Sequence, residues 1–201
     1  MAKIGALILA AGAGSRFTTS AGTVLYKPLA QIHGRPMLQT VVDIANRVLP
    51  GNVHTVLGNG AQEIAQQISN TELLVNTQWR QGLGRSISYA VAELMAGPQD
   101  YDGLLLMLGD QPSLTATGLR ELLALFDNTR PACAFYNNAV GVPALFPRAQ
   151  FLRLAQLQND IGAKGLLLSM GELVQKVPMP EAAMDIDTVG DLQALSDSLA
   201  R

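Results

Sequence analysis

Short apolar runs alternate with amphipathic stretches along the first half of the chain. Because parallel strands that are covered on both faces are apolar over most of their length, the runs predict strands at Ile4 to Leu9, Val53 to Leu57, Glu72 to Val75 and Leu104 to Leu108. Between them, apolar positions recur every three or four residues, which predicts helices at Pro36 to Val48, Gln62 to Ile68 and Ser86 to Met95. This alternation predicts an α/β fold with a doubly wound, mostly parallel sheet.

The C-terminal third of the chain is less regular. Its pattern predicts strands at Cys133 to Tyr136, Ala144 to Phe146 and Leu173 to Val177, and helices at Arg148 to Leu157 and Ala163 to Met170. A last helix, opened by Asp187, Thr188 and Asp191, is expected to run through Leu199. The mixed order indicates an antiparallel strand at the edge of the sheet. Since no repeat or linker interrupts the pattern, we expect residues 1–201 to form a single domain.

Composition and charge narrow the class of protein. Hydrophobic residues make up 48% of the 201 residues and charged residues 15%, which favours a compact apolar core. The net charge is -2, so there is no broad positive field to hold a nucleic acid. The apolar opening stretch is too short for a membrane span and resembles no secretory signal, and the single Cys133 cannot form an internal disulfide. We therefore expect a cytoplasmic protein without nucleic-acid or membrane partners.

A loop of small residues, Leu9 to Arg16, follows the first predicted strand. Glycines let backbone N–H groups approach phosphates closely, and open α/β sheets bind ligands at the carboxyl ends of their strands. Phe17 stands where a dinucleotide fingerprint needs its third glycine, and the Gly-Lys-Ser/Thr of a P-loop is missing. What remains is a small-residue loop with cations at Arg16 and Lys27, which suit a triphosphate. The alternative is a tight turn with an ordinary surface arginine.

Aspartates stand at two points where a metal ligand is expected. Asp110 follows the strand Leu104 to Leu108, which places its carboxylate at the carboxyl end of that strand. Mg²⁺ is usually held by one or two carboxylates together with substrate phosphates, and Asp187 is the second candidate, with Asp185 on the same face. The alternatives are that Asp110 is a turn residue before Pro112 and that the other two cap the final helix.

Five motifs, in order along nearly the whole chain, resemble those of nucleotidyltransferases of the molybdenum cofactor cytidylyltransferase and molybdopterin-guanine dinucleotide synthase type. They are Leu9-Ala10-Ala11-Gly12 with Arg16 and Lys27, Gly34-Arg35-Pro36-Met37-Leu38, the segment Asn76 to Ile87, Leu108-Gly109-Asp110-Gln111-Pro112 and Asp185-Ile186-Asp187-Thr188. The last two are more specific than the glycine loop. The resemblance implies a Rossmann-like nucleotidyltransferase fold and an enzyme that depends on Mg²⁺ or Mn²⁺.

The resemblance also implies roles for matching residues. Arg16, Lys27 and Asp110 would be catalytic, and Asp110 and Asp187 would hold the metal ion. Nucleotide binding is implied for Leu9, Ala10, Ala11, Gly12, Gly14, Ser15, Arg16, Lys27, Asn76, Gly82 and Ser86. Asp160 and Lys164, in a segment similar to the acceptor side of the family, would face the second substrate. For Ser86 the alternative is a helix N-cap.

Substrate identity follows from finer details of the resemblance. Ala11 resembles the cytidylyl-transferring members, because a guanine-binding loop tends to carry a further glycine there. This implies transfer of CMP from CTP to the terminal phosphate of molybdopterin with release of pyrophosphate, and it suggests a molybdenum enzyme or its chaperone as protein partner. Val142 stands where the family often has His, and Lys164 where it often has Arg. The alternatives are a nucleotidyltransferase for another small phosphorylated acceptor (phospholactate, a sugar phosphate or a polyol phosphate) and a non-catalytic nucleotide-binding delivery protein.

Other features complete the interpretation. His33 and His54 are isolated and are predicted to be structural, as is Trp79, for which we expect a place in the core. Residues 17–26 form an unusually long stretch of small and hydroxyl residues, which suggests a lid over the triphosphate. The motifs contain no poised His or Glu, in agreement with an ionised phosphate nucleophile that needs no general base.

Overall fold

A seven-stranded sheet and a separate two-stranded hairpin make up the β-structure in the computed structural model, which describes residues 2–14, 17 and 26–199. The strands are β1 (Ile4–Ala10), β2 (Gln31–Ile32), β3 (Arg35–Pro36), β4 (Val53–Leu57), β5 (Glu72–Val75), β6 (Gly103–Leu108), β7 (Ala132–Tyr136), β8 (Ala139–Pro147) and β9 (Gln175–Pro178). The large sheet has the order β5-β4-β1-β6-β8-β7-β9, and β2 pairs with β3. Each strand that the apolar runs predicted in the first half is present.

Seven α-helices lie within the described residues. They are α1 (Met37–Asn46), α2 (Ala61–Ala65), α3 (Leu83–Ala96), α4 (Ala116–Ala124), α5 (Phe151–Leu154), α6 (Ala163–Met170) and α7 (Val189–Leu199). Helix α4 was not predicted, because Gly118 weakens the helical pattern in its first turn; Thr115 caps it by accepting from the Gly118 N–H at 3.0 Å. The helix predicted at Arg148 to Leu157 is only a 3₁₀ turn followed by α5. No described helix is long and apolar enough to cross a membrane.

Helices cover both faces of the sheet, and the central strand β1 shows why. Successive strand residues point to opposite faces, so Leu7 joins one apolar cluster with α3, α5 and α6, and Ile8 joins another with α1, α2 and α4. Both side chains are fully buried, and burying each contributes about 1.5–3 kcal/mol. Strand β1 pairs in parallel with both β4 and β6, so its carboxyl end lies beside theirs.

The single reversed strand of the large sheet lies inside it. Strands β5, β4, β1 and β6 run in parallel, which confirms the mostly parallel, Rossmann-like sheet. Strand β8 pairs antiparallel with both β6 and β7, whereas the edges are the parallel strands β5 and β9. The expected antiparallel edge is therefore corrected to an antiparallel interior strand. The cause is the two-residue turn Asn137-Asn138, whose φ angles of +50° and +56° fold β8 tightly back between β7 and β6.

Candidate active site

Three charged side chains meet at the carboxyl edge of the sheet. The ammonium of Lys27 donates to Oδ2 of Asp110 at 2.6 Å and to Oδ1 of Asp187 at 2.9 Å. The lysine side chain is 13% exposed, whereas the side chains of Asp110 and Asp187 are 26% and 40% exposed. The structure thus brings together three of the residues that the motifs singled out, with the carboxylates more open to solvent than the cation between them.

The electrostatics of this cluster keep Lys27 charged. Burial acts against the ammonium and by itself would lower the pKa of Lys27, but the carboxylates of Asp110 and Asp187 outweigh it and raise that pKa. Two causes raise the pKa of Asp185: partial burial, which is the larger, and the nearby carboxylate of Asp110. Carboxylates that crowd and repel one another in this way are stabilised when a further cation binds among them.

Local sequence explains the position of Lys27. The residue opens a short 3₁₀ turn, Lys27–Leu29, and Pro28 supplies the fixed backbone angle that starts such a turn. Gly14, in the first loop, has a φ of +57°, which glycine adopts readily and other residues do not. A Cβ at Gly14 would lie 2.9 Å from Cβ of Lys27, so only glycine lets the loop pass this close to the lysine.

A capping arrangement at the start of α7 positions Asp187. The carboxylate of Asp191 accepts from the backbone N–H groups of Asp187 and Thr188 at 3.0 and 2.8 Å, and the Thr188 hydroxyl accepts from the Asp191 N–H at 3.2 Å. The neighbouring Ile186 is buried, and its N–H donates to the carbonyl of Asp110 at 3.0 Å. Helix capping therefore falls to Thr188 and Asp191, which leaves the side chain of Asp187 directed at Lys27.

The carboxylate pair fits a divalent cation of the magnesium type. Oδ1 of Asp110 is buried and finds no hydrogen-bond donor within the described part of the chain, an arrangement that costs free energy unless a cation is nearby. Across the described ranges, no group of three or more His, Cys, Asp or Glu side chains could hold a metal ion. Of the described residues, Asp110 and Asp187 would therefore be the ligands. Mg²⁺ and Mn²⁺ suit such a site, because phosphates and waters complete their ligands.

Two clefts adjoin the cluster. The Lys27 cleft, of about 310 Å³, is lined by Leu9, Ala10, Gly12, Ala13, Gly14, Lys27, Pro28, Met37, Gly109, Asp110 and Asp187. The Ser86 cleft, of about 410 Å³, is lined by Leu9, Ala11, Gly12, Ala13, Trp79, Arg80, Gly82, Leu83, Ser86, Leu108, Asp110 and Asp160. Both volumes fall within the range of small-molecule sites. Because Gly12 and Asp110 line both, one elongated ligand could occupy the two clefts with its middle over Asp110.

Ser86 presents a hydroxyl to the second cleft from within α3. The N-cap of this helix is Gly82, so the N-cap alternative for Ser86 is wrong. Asn76, also predicted to bind nucleotide, is buried behind Ser86: its amide donates to the serine hydroxyl at 3.1 Å and accepts from the backbone of Gln78 at 2.9 Å. The hydroxyl of Ser86 donates in turn to the carbonyl of Gly82 at the long distance of 3.5 Å.

The predicted acceptor residues are separated by the structure. Asp160 lines the Ser86 cleft, because its loop packs directly on the start of α3: the N–H of Gly84 donates to the carbonyl of Asn159 at 2.8 Å. Gly82 has a φ of +101°, and a Cβ there would lie 2.5 Å from a carboxylate oxygen of Asp160. Lys164 lies on the exposed surface of α6 and lines neither cleft.

Several predictions fall outside the described residues or beyond the clefts. Ser15, Arg16 and most of the lid predicted at residues 17–26 lie outside the described residues. His33 occupies the turn between β2 and β3, with a φ of +50°, and His54 is buried at the opposite edge of the sheet. Trp79 packs against the core and also lines the Ser86 cleft, so its predicted place in the core is only part of its environment.

Sequence reasoning missed two residues of the site. Arg80 lines the Ser86 cleft, with its guanidinium 4.4 Å from the centre of the Trp79 ring. Gln111 is completely buried next to Asp110, although a glutamine before proline reads as an exposed turn. Gln111 could have been identified from its place inside the motif around Asp110. For Arg80 the one indication in the sequence was a cationic residue next to Trp79.

Comparison with known proteins agrees with this architecture. The model of the MobA-like NTP transferase domain family matches residues 6–174. The chain is 38% identical over 118 residues to the bifunctional protein GlmU of Stenotrophomonas maltophilia (strain K279a), a match that covers 59% of this chain and 25% of that protein. The chain therefore spans only about a quarter of the length of this curated relative.

Solved structures resemble the chain over almost its whole length. The crystal structure of a homologue of Mycobacterium tuberculosis Rv0371c from Mycobacterium sp. strain JC1 has a TM-score of 0.80 at 27% identity, covering 99% of this chain and 98% of that one. A manganese complex of Rv0371c from Mycobacterium tuberculosis H37Rv has a TM-score of 0.76 at 24% identity, covering 98% and 99%, and this likeness concerns the fold. With the family model matching most of its length, the chain belongs to the MobA-like NTP transferase domain family.

Proposed function

We propose that the protein is a nucleotidyltransferase that transfers CMP from CTP to the terminal phosphate of molybdopterin and releases pyrophosphate. Membership of an NTP transferase family supports nucleotide transfer in general. The observation that carries the proposal is the convergence of Lys27, Asp110 and Asp187 beside a glycine loop, at the edge where open α/β sheets bind ligands. The Lys27 ammonium and a divalent ion held by the two carboxylates would both attract negative charge. Such a site suits a polyphosphate better than a neutral metabolite.

The two clefts suggest how the triphosphate lies. The backbone of Gly12 to Gly14 and the ammonium of Lys27 would receive phosphates in the Lys27 cleft, since both offer donors to anions. The Ser86 cleft would receive the nucleoside, because it combines a hydroxyl donor with the aromatic face of Trp79. The α-phosphate would then lie near Asp110, which borders both clefts.

The chemistry needs charge stabilisation more than proton transfer. An oxygen of the acceptor phosphate attacks the α-phosphorus and forms a new P–O bond, while the bond from the α-phosphorus to the bridging oxygen breaks and its electron pair leaves with pyrophosphate. Lys27 would stabilise the charge that gathers on the departing phosphates. Because the attacking oxygen is already ionised, the site needs no general base.

A divalent ion held by Asp110 and Asp187 would neutralise phosphate charge when bound. The donor set is made of hard oxygen ligands, which suits Mg²⁺, and Mn²⁺ binds to similar donors. The manganese complex of Rv0371c supports a divalent ion in this group of folds. The Lys27 ammonium bonds to both carboxylates, so a divalent ion held by them would compete with it for the same oxygens.

The choice of CTP and of molybdopterin rests on the sequence motifs. Ala11 lines the Ser86 cleft, where a small residue other than glycine matches the cytidylyl-transferring pattern. Val142 and Lys164, which depart from the family pattern, are the residues that bear on another phosphorylated acceptor.

The test is pyrophosphate release with Mg²⁺, with ATP, CTP, GTP or UTP supplied separately and with molybdenum cofactor, a sugar phosphate or a polyol phosphate as the acceptor. We expect release with CTP and at least tenfold less with each other nucleotide. Release with a different nucleotide would overturn the base assignment, and release only with a sugar or polyol phosphate would overturn the acceptor. Tight CTP binding without any release would identify a delivery protein instead.

A further inference from the structure

Gln111 is an unusual residue for its position. It follows Asp110 directly, its side chain is 0% exposed, and its Oε1 has no hydrogen-bond partner within the described ranges. A buried amide with an unsatisfied oxygen costs free energy, and an apolar side chain of equal size would avoid that cost. Stability alone therefore does not account for a glutamine here.

The other end of the amide links segments that are distant in sequence. Nε2 of Gln111 donates to the carbonyl of Ala182 at 2.8 Å and, more weakly, approaches the carbonyl of Val142 at 3.4 Å. Ala182 belongs to the short 3₁₀ turn Pro180–Ala183, which leads within four residues to Asp187. Val142 lies in β8, the reversed strand beside β6. A single side chain thus joins the Asp110 turn to the segment that carries the second carboxylate.

Two further hydrogen bonds connect the residues that follow β6 to the segment from Pro180 to Asp187. The N–H of Ile186 donates to the carbonyl of Asp110 at 3.0 Å, and the Thr115 hydroxyl donates to the carboxylate of Glu181 at 3.3 Å. Of these links, that of Thr115 is exposed, while the Gln111 bond to Ala182 is buried. A buried hydrogen bond is exchanged less readily for water, so it fixes the distance between its partners more firmly.

We infer that Gln111 is a positioning residue that holds the segment of Asp187 at the separation from Asp110 at which both carboxylates reach one cation. The structure already shows that separation, because both carboxylates bond to the same Lys27 ammonium, at 2.6 and 2.9 Å. Gln111 acts through the backbone of Ala182, and its side chain is also hydrogen-bonded to Asp185, two residues before Asp187. The inference rests on the metal site of the proposed function and adds a determinant of its affinity.

The test measures Mn²⁺ binding by electron paramagnetic resonance in the absence of nucleotide, for Gln111→Met and for Thr115→Val. Methionine keeps the volume of the side chain but removes its donor. Thr115→Val removes the exposed link of the same turn together with the cap of α4, so it serves as a control both for a lost link and for lost stability. We expect Gln111→Met to weaken Mn²⁺ binding about 10- to 100-fold, as when a metal ligand loses its orienting partner. Thr115→Val should stay within about twofold of wild type, since its link is exposed to water.

A second readout separates positioning from general structural damage. In turnover with CTP, the half-saturating Mn²⁺ concentration of Gln111→Met should rise about as much as its Mn²⁺ dissociation constant, while KM for CTP at saturating Mn²⁺ changes by less than about threefold. A merely structural role would lower the fraction of active protein and leave both constants of the remaining molecules unchanged. Thermal unfolding followed by circular dichroism reports that fraction.

Each outcome decides the matter. Wild-type Mn²⁺ affinity in Gln111→Met, or an equal loss in Thr115→Val, overturns the inference and leaves the proposed function intact. If Gln111→Met does not fold, Gln111→Leu, which is also apolar and has no donor, takes its place under the same criteria. Failure of both to fold would assign Gln111 to fold stability and overturn the inference. If wild type and Asp110→Asn bind Mn²⁺ equally, the metal site of the proposed function fails instead, and the inference with it.

Discussion

The parallel strands begin at one side of the sheet, the amino edge, and end at the other, the carboxyl edge. These two edges carry polar groups in opposite electrostatic conditions. At the amino edge, His54 is 2% exposed, one ring nitrogen lies 2.8 Å from the Tyr101 hydroxyl, and the other lies 3.1 Å from a carboxylate oxygen of Glu72. Burial lowers the pKa of His54, and Glu72 opposes this only in part, so the ring is neutral at neutral pH. At the carboxyl edge, carboxylates keep Lys27 charged despite its burial.

Cleft size does not distinguish the two edges. The amino edge has its own cleft of about 420 Å³, lined in part by His54 and Glu72, which is larger than the Lys27 cleft of about 310 Å³. The difference lies in charge. At the amino edge the buried His54 ring is neutral, because burial lowers its pKa. The carboxyl edge retains a cation and two carboxylates that face a glycine loop. Retained charge, rather than volume, distinguishes the edge at which we propose that the nucleotide binds.

The largest effect is expected at the carboxyl edge from Asp110→Asn. The change removes the carboxylate that borders both clefts and bonds to Lys27, so we expect pyrophosphate release to fall by about 10³-fold. Initial rates at saturating CTP and Mg²⁺ measure it. Asp100→Asn, at an 86% exposed side chain of the amino edge, is the control and should remain within about twofold. Activity of Asp110→Asn within tenfold of wild type would contradict the metal assignment.

Lys27→Met should affect turnover and metal binding in opposite directions. We expect turnover to fall about 10²-fold, because charge on the departing phosphates loses its ammonium partner. Mn²⁺ affinity without nucleotide should rise, since the ion no longer competes with the ammonium for Asp110 and Asp187. Steady-state kinetics and Mn²⁺ titration measure the two effects, with Lys176→Met on β9 as the control. Unchanged or weaker Mn²⁺ binding would show that lysine and ion do not share the carboxylates.

At the amino edge, His54→Leu should change stability and leave the chemistry intact. The variant removes the partner 2.8 Å from the buried Tyr101 hydroxyl, whose other contact is Asn52 at 3.4 Å. We expect a loss of about 1–3 kcal/mol in the free energy of unfolding, measured with urea. KM and turnover of the folded protein should stay within about twofold. A tenfold loss of turnover without a loss of stability would mean that the two edges are coupled.

The smallest effect is the pH dependence that His54 adds. Because the folded-state pKa is lowered, the unfolded chain binds this proton first as pH falls through the ordinary value near 6.5. The contribution of His54 is therefore complete above that pH and is lost below it, by at most about 1.4 kcal/mol per pH unit. The free energy of unfolding, measured with urea between pH 5 and pH 8, should depend less steeply on pH in His54→Leu than in wild type. Equal pH dependence in the two proteins would mean that His54 is not the group whose protonation lowers the stability.

Local patterns predicted the parallel half of the fold well. Strand β4 is observed at its predicted bounds, Val53–Leu57, because apolar residues stand at both of its ends, at Val53 and at Val56 and Leu57. The reversed strand β8 was predicted only at Ala144 to Phe146, since Gly141 and Pro143 break the pattern of its first half. Strand order depends on pairings between distant segments, which no local pattern contains, so the interior place of β8 could not be predicted.

The charged residues of the site were predictable, whereas their supports were not. Asp110 and Asp187 stand in short motifs whose residue types suit a metal ion. Gln111 stands in the same motif, but its role depends on a carbonyl 71 residues away. The sequence likewise placed Asp160 and Lys164 together, although only Asp160 lines a cleft, because α6 turns Lys164 to solvent.

The reversal of β8 has a consequence for how such a protein can change over evolution. Because β8 starts at the carboxyl edge, the turn Asn137-Asn138 lies at that edge, on the other side of β6 from the glycine loop that follows β1. Hairpin tips tolerate insertions, since they lie on the surface and no buried element must move to make room. A lineage could therefore lengthen this turn and remodel one wall of the site, while the loop and lysine on the other wall stay as they are.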